Sequence, residues 1–336
     1  MHIHSTMQRG AALLLPIAVL MSSCGTKKDD PMPPPKPAMT FQMPRDVPEF
    51  SGERTFELLK KQVAFGPRVP NTPAHAACLN WMVDFLRPLA DTVRVQEFSM
   101  GGYDGITLRM SNVIASFKPD AKERVLLCAH WDSRPRADRE KDSSRQRIAI
   151  PGANDGASGV AVLLHLAEVF ARICPTVGVD LVFFDGEDYG REGDESMYCL
   201  GSKYFAATVP EGSAPLYGVL LDLVGDKDAV FPQEEFSVQY AGDIVRMVWS
   251  AAGQLGVPNF KVQGYGGIID DHHALNTTAG IRTIDIIDAE LVGHAAADPR
   301  RKYWHTLADT PEQCSPLTLG RVGKVLLHVL LGTKPV

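Results

Sequence analysis

Two periodicities of apolar positions run through the chain. Glu53–Ala64 and Pro73–Leu89 repeat their apolar residues every three to four positions, as a helix with one buried face does. Thr92–Phe98, Ile106–Phe117 and Arg124–Ala129 are instead short, strand-like runs. The order then becomes regular. A helix from about Ala157 to Ile173, a strand over Val179–Phe184, a helix from about Glu195 to Ala207 and a strand over Tyr217–Val224 follow in turn. A helix from about Asp243 to Gly256, a strand over Thr283–Ile287 and a final helix over Leu317–Leu331 complete the series. This alternation predicts a single α/β domain with a mostly parallel, mixed central β-sheet and helices on both faces. Antiparallel pairing is expected near the start, where consecutive strands have no helix between them. No internal repeat is visible.

Upstream of Ser51 the pattern changes. Ala11–Met21 is an apolar run too short to span a bilayer; Arg9 precedes it, and the small residues Ser22-Ser23 lie just before Cys24. Residues 1–23 therefore have the layout of a signal peptide. Leu20-Met21-Ser22-Ser23-Cys24 resembles a bacterial lipobox, which implies lipid on Cys24 and anchorage to a membrane of the bacterial cell envelope. Met21 stands where Leu or Val is commoner. Lys27-Lys28-Asp29-Asp30 resembles the tag of lipoproteins exported to the outer surface. Residues 24–50, with Pro31-Met32-Pro33-Pro34-Pro35-Lys36-Pro37 at their centre, read as a proline-rich tether, and residues 51–336 as the folded domain.

Composition narrows the partners. With 336 residues, 45% of them hydrophobic, the chain can bury a large core. A net charge of −6 without a basic block argues against a nucleic-acid partner. Removing Cys24 leaves Cys78, Cys128, Cys174, Cys199 and Cys314, an odd set with no Cys-x-x-Cys pair. A disulfide is permitted in an exported compartment, but spacing does not choose its partners.

Five polar clusters fall at the ends of predicted elements. They are His130-Trp131-Asp132-Ser133; Gly152-Ala153-Asn154-Asp155-Gly156-Ala157-Ser158-Gly159; Glu187-Asp188 after the strand Val179–Phe184; Asp222 before Gly225; and Gly267-Ile268-Ile269-Asp270-Asp271-His272, beyond which lies Tyr303-Trp304-His305-Thr306. In a parallel sheet the C-terminal strand ends face one crevice, so distant groups can converge. Asp, Glu and His are ligands that zinc accepts, and fewer than four of them leave a position for substrate. Each also has a plainer reading. Asp155 suits a helix N-cap and His130 a structural histidine, whereas Asp222, in an apolar strand, needs a partner. His165 reads as a packed helix residue, His272 or His273 as a capping or supporting residue, and His294 has no evident role.

The order of these motifs resembles the zinc-dependent M28 peptidase superfamily, which holds two-zinc aminopeptidases and single-zinc glutaminyl cyclases. The resemblance runs from about Glu53 to the C-terminus and carries its fold with it. Asp185-Gly186-Glu187, Leu221-Asp222-Leu223-Val224-Gly225, Asp270-Asp271-His272 and Trp304 before His305 look more like the cyclases, which convert N-terminal glutamine of peptides to pyroglutamate. Aminopeptidases of this fold usually have Ser-Asp-His at 270–272 and Tyr before the His.

The resemblance implies one zinc per chain on Asp155, Asp188 and His305. It makes Glu187 the proton shuttle, places Asp222 and Asp270 in a carboxylate network with it, and has Trp304 and Ile268 line the substrate pocket. Asp222 and Asp270 would raise the Glu187 pKa by like-charge coupling. Asp188 stands where the animal cyclases have Glu, and the segment Tyr189–Tyr198 lacks their tryptophan, so a different pocket wall is expected. A two-zinc aminopeptidase would add His130 and Asp222 around a second ion, with Asp155 bridging. A tethered binding lipoprotein without catalysis is the remaining alternative. A monomer acting on peptides or proteins with N-terminal Gln is the expectation.

Overall fold

A computed structural model describes residues 39–173, 175–210 and 212–335. The signal peptide, Cys24, the prolines of 31–37 and Cys174 lie outside these residues. In chain order the elements are β1 (Met39–Phe41), α1 (Gly52–Val63), α2 (Pro73–Leu86), β2 (Thr92–Gly101), β3 (Thr107–Phe117), β4 (Arg124–His130), α3 (Ala157–Phe170) and β5 (Gly178–Phe184). Then come α4 (Leu200–Thr208), β6 (Tyr217–Asp222), β7 (Phe231–Glu234), α5 (Glu235–Gln254), β8 (Phe260–Tyr265), α6 (Asp271–Thr277), β9 (Thr283–Ile287), α7 (Pro316–Gly332) and β10 (Thr333–Pro335).

The central sheet has six strands in the order β2-β3-β5-β4-β6-β9. β3 pairs antiparallel with β2 and β5, while β5, β4, β6 and β9 run parallel. This is the expected α/β domain with a mixed sheet. Strand β4 shows why its sequence reads as nearly continuous apolar: Val125, Leu127 and Ala129 pack into the larger core, and Leu126 and Cys128 into a second one on the opposite face. The larger core takes in Leu58 and Leu59 of α1, Met82 of α2, Ile244 of α5 and Leu326 of α7. The other takes in Ala206 of α4 and Leu275 of α6. From β4 the chain moves to β5 on one side and then crosses to β6 on the other. That reversal opens a crevice at the C-terminal strand ends.

Local boundaries differ from expectation for identifiable reasons. The helix expected over Glu195–Ala207 is divided into a 3-10 turn at Glu195–Met197 and α4, because Cys199 takes a left-handed conformation (φ 56°). α5 begins at Glu235, well before Asp243, capped by the Glu234 side chain. β7 and β8 form a separate parallel pair, and β8 is mostly exposed, so it carries no buried apolar face to betray it. Part of the expected tether also packs. β1 pairs antiparallel with β10, and the buried ring of Phe50 lies against Gly323 of α7. Among the described residues no helix is long and apolar enough to cross a membrane.

Helix α3 sits so close to the sheet that a Cβ at Gly159 would lie 2.3 Å from the carbonyl oxygen of Leu221 and 3.0 Å from Ala129 Cβ. Backbone in a central strand cannot yield cheaply. Gly159→Ala is therefore expected to destabilise the fold by about 2 kcal/mol, read as a lowered midpoint of urea unfolding with an unchanged slope.

Candidate metal centre and active site

Each site residue is delivered by a strand end or the loop that follows it. After β5 the chain turns at Gly186 (φ 74°), where a Cβ would lie 2.2 Å from Met110 Sδ, so the turn requires glycine. Asp185 points inward, its Oδ1 and Oδ2 each 2.9 Å from His75 Nε2, and accepts the Ser111 N–H at 2.6 Å. The next two amides both donate to one carboxylate from the β4 loop: Glu187 N–H to Asp132 Oδ1 at 3.1 Å, Asp188 N–H to Asp132 Oδ2 at 3.2 Å. Glu187 and Asp188 are thereby fixed side by side at the mouth of the crevice.

Asp155 is not a side-chain cap. Gly156 is the N-cap of α3 and no side chain caps the helix. The Asp155 carboxylate instead joins two groups: Oδ1 lies 3.1 Å from His130 Nε2 and Oδ2 lies 3.6 Å from His305 Nε2. Its loop is held by Asp309, which accepts the Asn154 N–H at 2.8 Å and the Asp155 N–H at 3.2 Å. Two potential metal-binding trios share Asp155. In the inner one, His130 Nε2 also meets Asp222 Oδ1 at 3.2 Å. In the outer one, His305 Nε2 lies 3.3 Å from Asp188 Oδ1.

The trios differ in what is left unsatisfied. Asp155 Oδ2 and Asp188 Oδ2 are buried and without hydrogen-bond partners, whereas Asp155 Oδ1 and Asp222 Oδ1 both face His130 Nε2. Buried carboxylate oxygens without partners are costly. Two such oxygens, on carboxylates that both meet the His305 imidazole, belong to a donor set that fits zinc. Burial alone would raise Asp188, but His305 and Arg134 outweigh it and hold its carboxyl well below the usual range, ready as a ligand.

Glu187 faces the cavity next to this set. Its Oε1 accepts from the Cys199 thiol at 3.4 Å, and Glu187, Cys199 and Asp270 bring their polar atoms within 4.8 Å of one another. Loss of hydration raises the Glu187 pKa well above the ordinary value; His130 works against this, and the charges of Asp270, Asp188 and Asp271 reinforce it. Asp270 thus acts in the expected direction, after burial. Asp222 itself is pushed up to about 7, chiefly by burial, against the hydrogen bond to His130.

The cavity holds about 450 Å³, and its lining includes Ile268, Asp270, Trp304 and His305. The Trp304 ring stacks on His305 with centroids 3.4 Å apart, and the Arg139 guanidinium faces it at 5.6 Å. His294, assigned no role from sequence, lies with Nε2 2.8 Å from the Trp304 carbonyl oxygen. His165 is a packed helix residue, as read, 2.8 Å from Glu168. His272 Nε2 lies 3.2 Å from Glu234, and His273 packs edge-on to Phe236, so neither enters a trio. Sequence reasoning overlooked Arg134, Asp138, Cys199 and Glu234, which it met only as loop or helix residues. Cys78, Cys128, Cys199 and Cys314 are buried free thiols.

The family model for peptidase family M28 matches residues 112–330, which contain every residue of both trios. The chain belongs to peptidase family M28. Among M28-like structures, it is similar to the glutaminyl cyclase of Bacteroides thetaiotaomicron bound to N-acetylhistamine, at 38% identity and a TM-score of 0.81, covering 86% of this chain and 100% of that one. It is equally similar to a structure described as a leucine aminopeptidase precursor from the same organism, at 38% identity and a TM-score of 0.80, covering 86% of this chain and 99% of that one. The bovine glutaminyl-peptide cyclotransferase is 26% identical over 248 residues, a match that spans 64% of this chain and 64% of that enzyme.

Behind the M28 site, the buried Glu234 carboxylate accepts the N–H groups of Phe236, Ser237 and Ile268 at 2.7–2.9 Å, and so fixes one cavity wall. Burial would raise its pKa, but His272 and these amides hold it down to about 2. A depressed carboxyl stabilises the fold above its unfolded value of about 4.3 and loses that effect as pH falls through the folded value. Glu234→Gln should cost about 2 kcal/mol at neutral pH. The difference from wild type in urea unfolding should shrink between about pH 5 and pH 2.

Proposed function

We propose that this chain cyclises N-terminal glutamine of peptides or proteins to pyroglutamate, releasing ammonia, with one zinc ion held by Asp155, Asp188 and His305. The observation that carries this reading is the asymmetry between the trios: only the outer one keeps two buried carboxylate oxygens without partners. The similarity to a bacterial and a bovine glutaminyl cyclase supports the same choice. Lipid on Cys24 would tether the domain to the bacterial cell envelope, in keeping with the N-terminal sequence.

The reaction joins the α-amine of the terminal glutamine to its own γ-carbonyl carbon. The nucleophile is intramolecular, so the site gains most by holding the side chain folded back on the amine. Ile268 and Trp304 line the cavity in which that fold is held. Glu187 takes the proton from the attacking amine and returns it to the departing nitrogen. One C–N bond forms, one breaks, and ammonia leaves. Its raised pKa suits a group that must hold the proton between those two moments. The Cys199 thiol holds the carboxylate beside the cavity, and Asp270 lies close by. Zinc, when bound, supplies Lewis-acid polarisation of a carbonyl oxygen.

A two-zinc aminopeptidase is the second reading, because His130, Asp155 and Asp222 also bring three ligand atoms within 4.8 Å. Mass spectrometry of the zinc-loaded protein with one peptide beginning in Gln and one beginning in Leu separates the two. The expected result is loss of one ammonia from the first and no change in the second. Release of free N-terminal residues would favour the aminopeptidase. Metal analysis should return one zinc per chain, where two would again favour the rival. Glu187→Gln should keep its zinc and lose at least about 100-fold in kcat. N-acetylhistamine, whose imidazole can ligate a metal, should compete with the Gln peptide.

A further inference from the structure

Arg134 is buried beside the outer trio and touches one of its members, Asp188, together with Asp138 and Tyr198. Its Nη1 donates to Asp188 Oδ1 at 2.6 Å and to the Asp188 carbonyl at 3.1 Å. Nε and Nη2 donate in parallel to Asp138 Oδ1 and Oδ2, at 2.9 and 2.5 Å. Nη2 also reaches the Tyr198 hydroxyl at 3.0 Å. Asp138 Oδ1 lies 3.6 Å from His305 Nδ1. Asp188, Arg134 and Asp138 thus form one continuous chain of charged groups that ends beside His305 Nδ1.

The consequence is seen in which atoms are left over. Asp188 Oδ1 takes the guanidinium and also lies 3.3 Å from His305 Nε2, and Asp188 Oδ2 is the buried oxygen without a partner. A carboxylate with both oxygens free can rotate or chelate; one held by an arginine presents a single oxygen in a fixed direction. On His305, a carboxylate near Nδ1 favours the proton there and leaves the Nε2 lone pair to the trio.

We infer that Arg134 and Asp138 are positioning residues for the metal centre, with Arg134 presenting Asp188 Oδ2 alone and Asp138 presenting His305 Nε2. This rests on the zinc reading proposed above. The plainer account is that Arg134 only neutralises buried negative charge. Lysine can supply that charge but not the fork, so Arg134→Lys separates the two accounts.

The test uses metal binding rather than turnover. Zinc affinity of the full-length protein is measured by competition with a chromophoric chelator, and the visible absorption of the cobalt-substituted protein reports ligand geometry. Arg134→Lys is expected to weaken zinc about tenfold and to shift the cobalt bands. If that variant does not fold, Asp138→Asn decides, since Asp138 is part-exposed and its loss breaks the same chain of contacts; the same tenfold loss is expected. A change of less than about threefold in the deciding variant overturns the inference. Failure of the wild-type protein to bind zinc overturns the zinc reading itself, and that result appears in the wild-type measurement before any variant is compared.

Discussion

The site is governed by the need to bury several carboxyl groups in one crevice. Asp155, Glu187, Asp188, Asp222 and Asp270 all line the same cavity, and no lysine or arginine lines it with them. Anions gathered away from water must be protonated, paired or given to a metal. Raised and paired carboxyls are both present. Glu187, Asp222 and Asp270 are raised, chiefly by burial, while Asp188 is kept ionised by His305 and Arg134. Asp155 is shared between His130 and His305. The acids differ in state because Arg134 lies against Asp188, whereas burial outweighs His130 at Glu187 and Asp222.

That division depends on the turn after β5. Gly186 lets the chain reverse, Asp132 accepts the two following amides, and Asp185 is anchored to His75 on the far side. Glu187 and Asp188 therefore face different partners although they are neighbours in sequence. Glu187 meets the Cys199 thiol and the cavity, and Asp188 meets Arg134 and His305. The proposed proton-transfer group and the proposed metal ligand are separated by one peptide unit, with the backbone amides of both held by Asp132.

The M28 scaffold serves both cyclases and exopeptidases, as the two Bacteroides thetaiotaomicron neighbours illustrate. The residue types needed by either chemistry are present in this chain. What distinguishes the proposed activity is the state of individual oxygen atoms: Asp155 Oδ1 and Asp222 Oδ1 are engaged by His130, whereas Asp155 Oδ2 and Asp188 Oδ2 are open. Function in such a family lies in hydrogen bonding around the ligands as much as in the ligands.

Much of this was written in the order of residues. The apolar runs of β4, β5 and β6 gave the parallel strands, because strands buried on both faces carry their burial in plain sequence, and strand ends are where α/β sheets place their ligands. Asp155, Glu187, Asp188, Asp222, Asp270, Trp304 and His305 could be named from motifs that follow those strands, and the structure brings them to one cavity. Tertiary structure alone decided the rest. Nothing local distinguishes Asp155 as a bridging carboxylate from an N-cap, since both follow from an acid before a helix. Arg134, Asp138 and Glu234 act through partners far away in sequence, Tyr198 lying 64 residues beyond Arg134, and burial is what turns ordinary polar residues into fixed ones. β8 was illegible because an exposed strand carries no apolar alternation, and the packing of Phe50 against α7 because a single aromatic after a proline-rich stretch has no periodicity to reveal it.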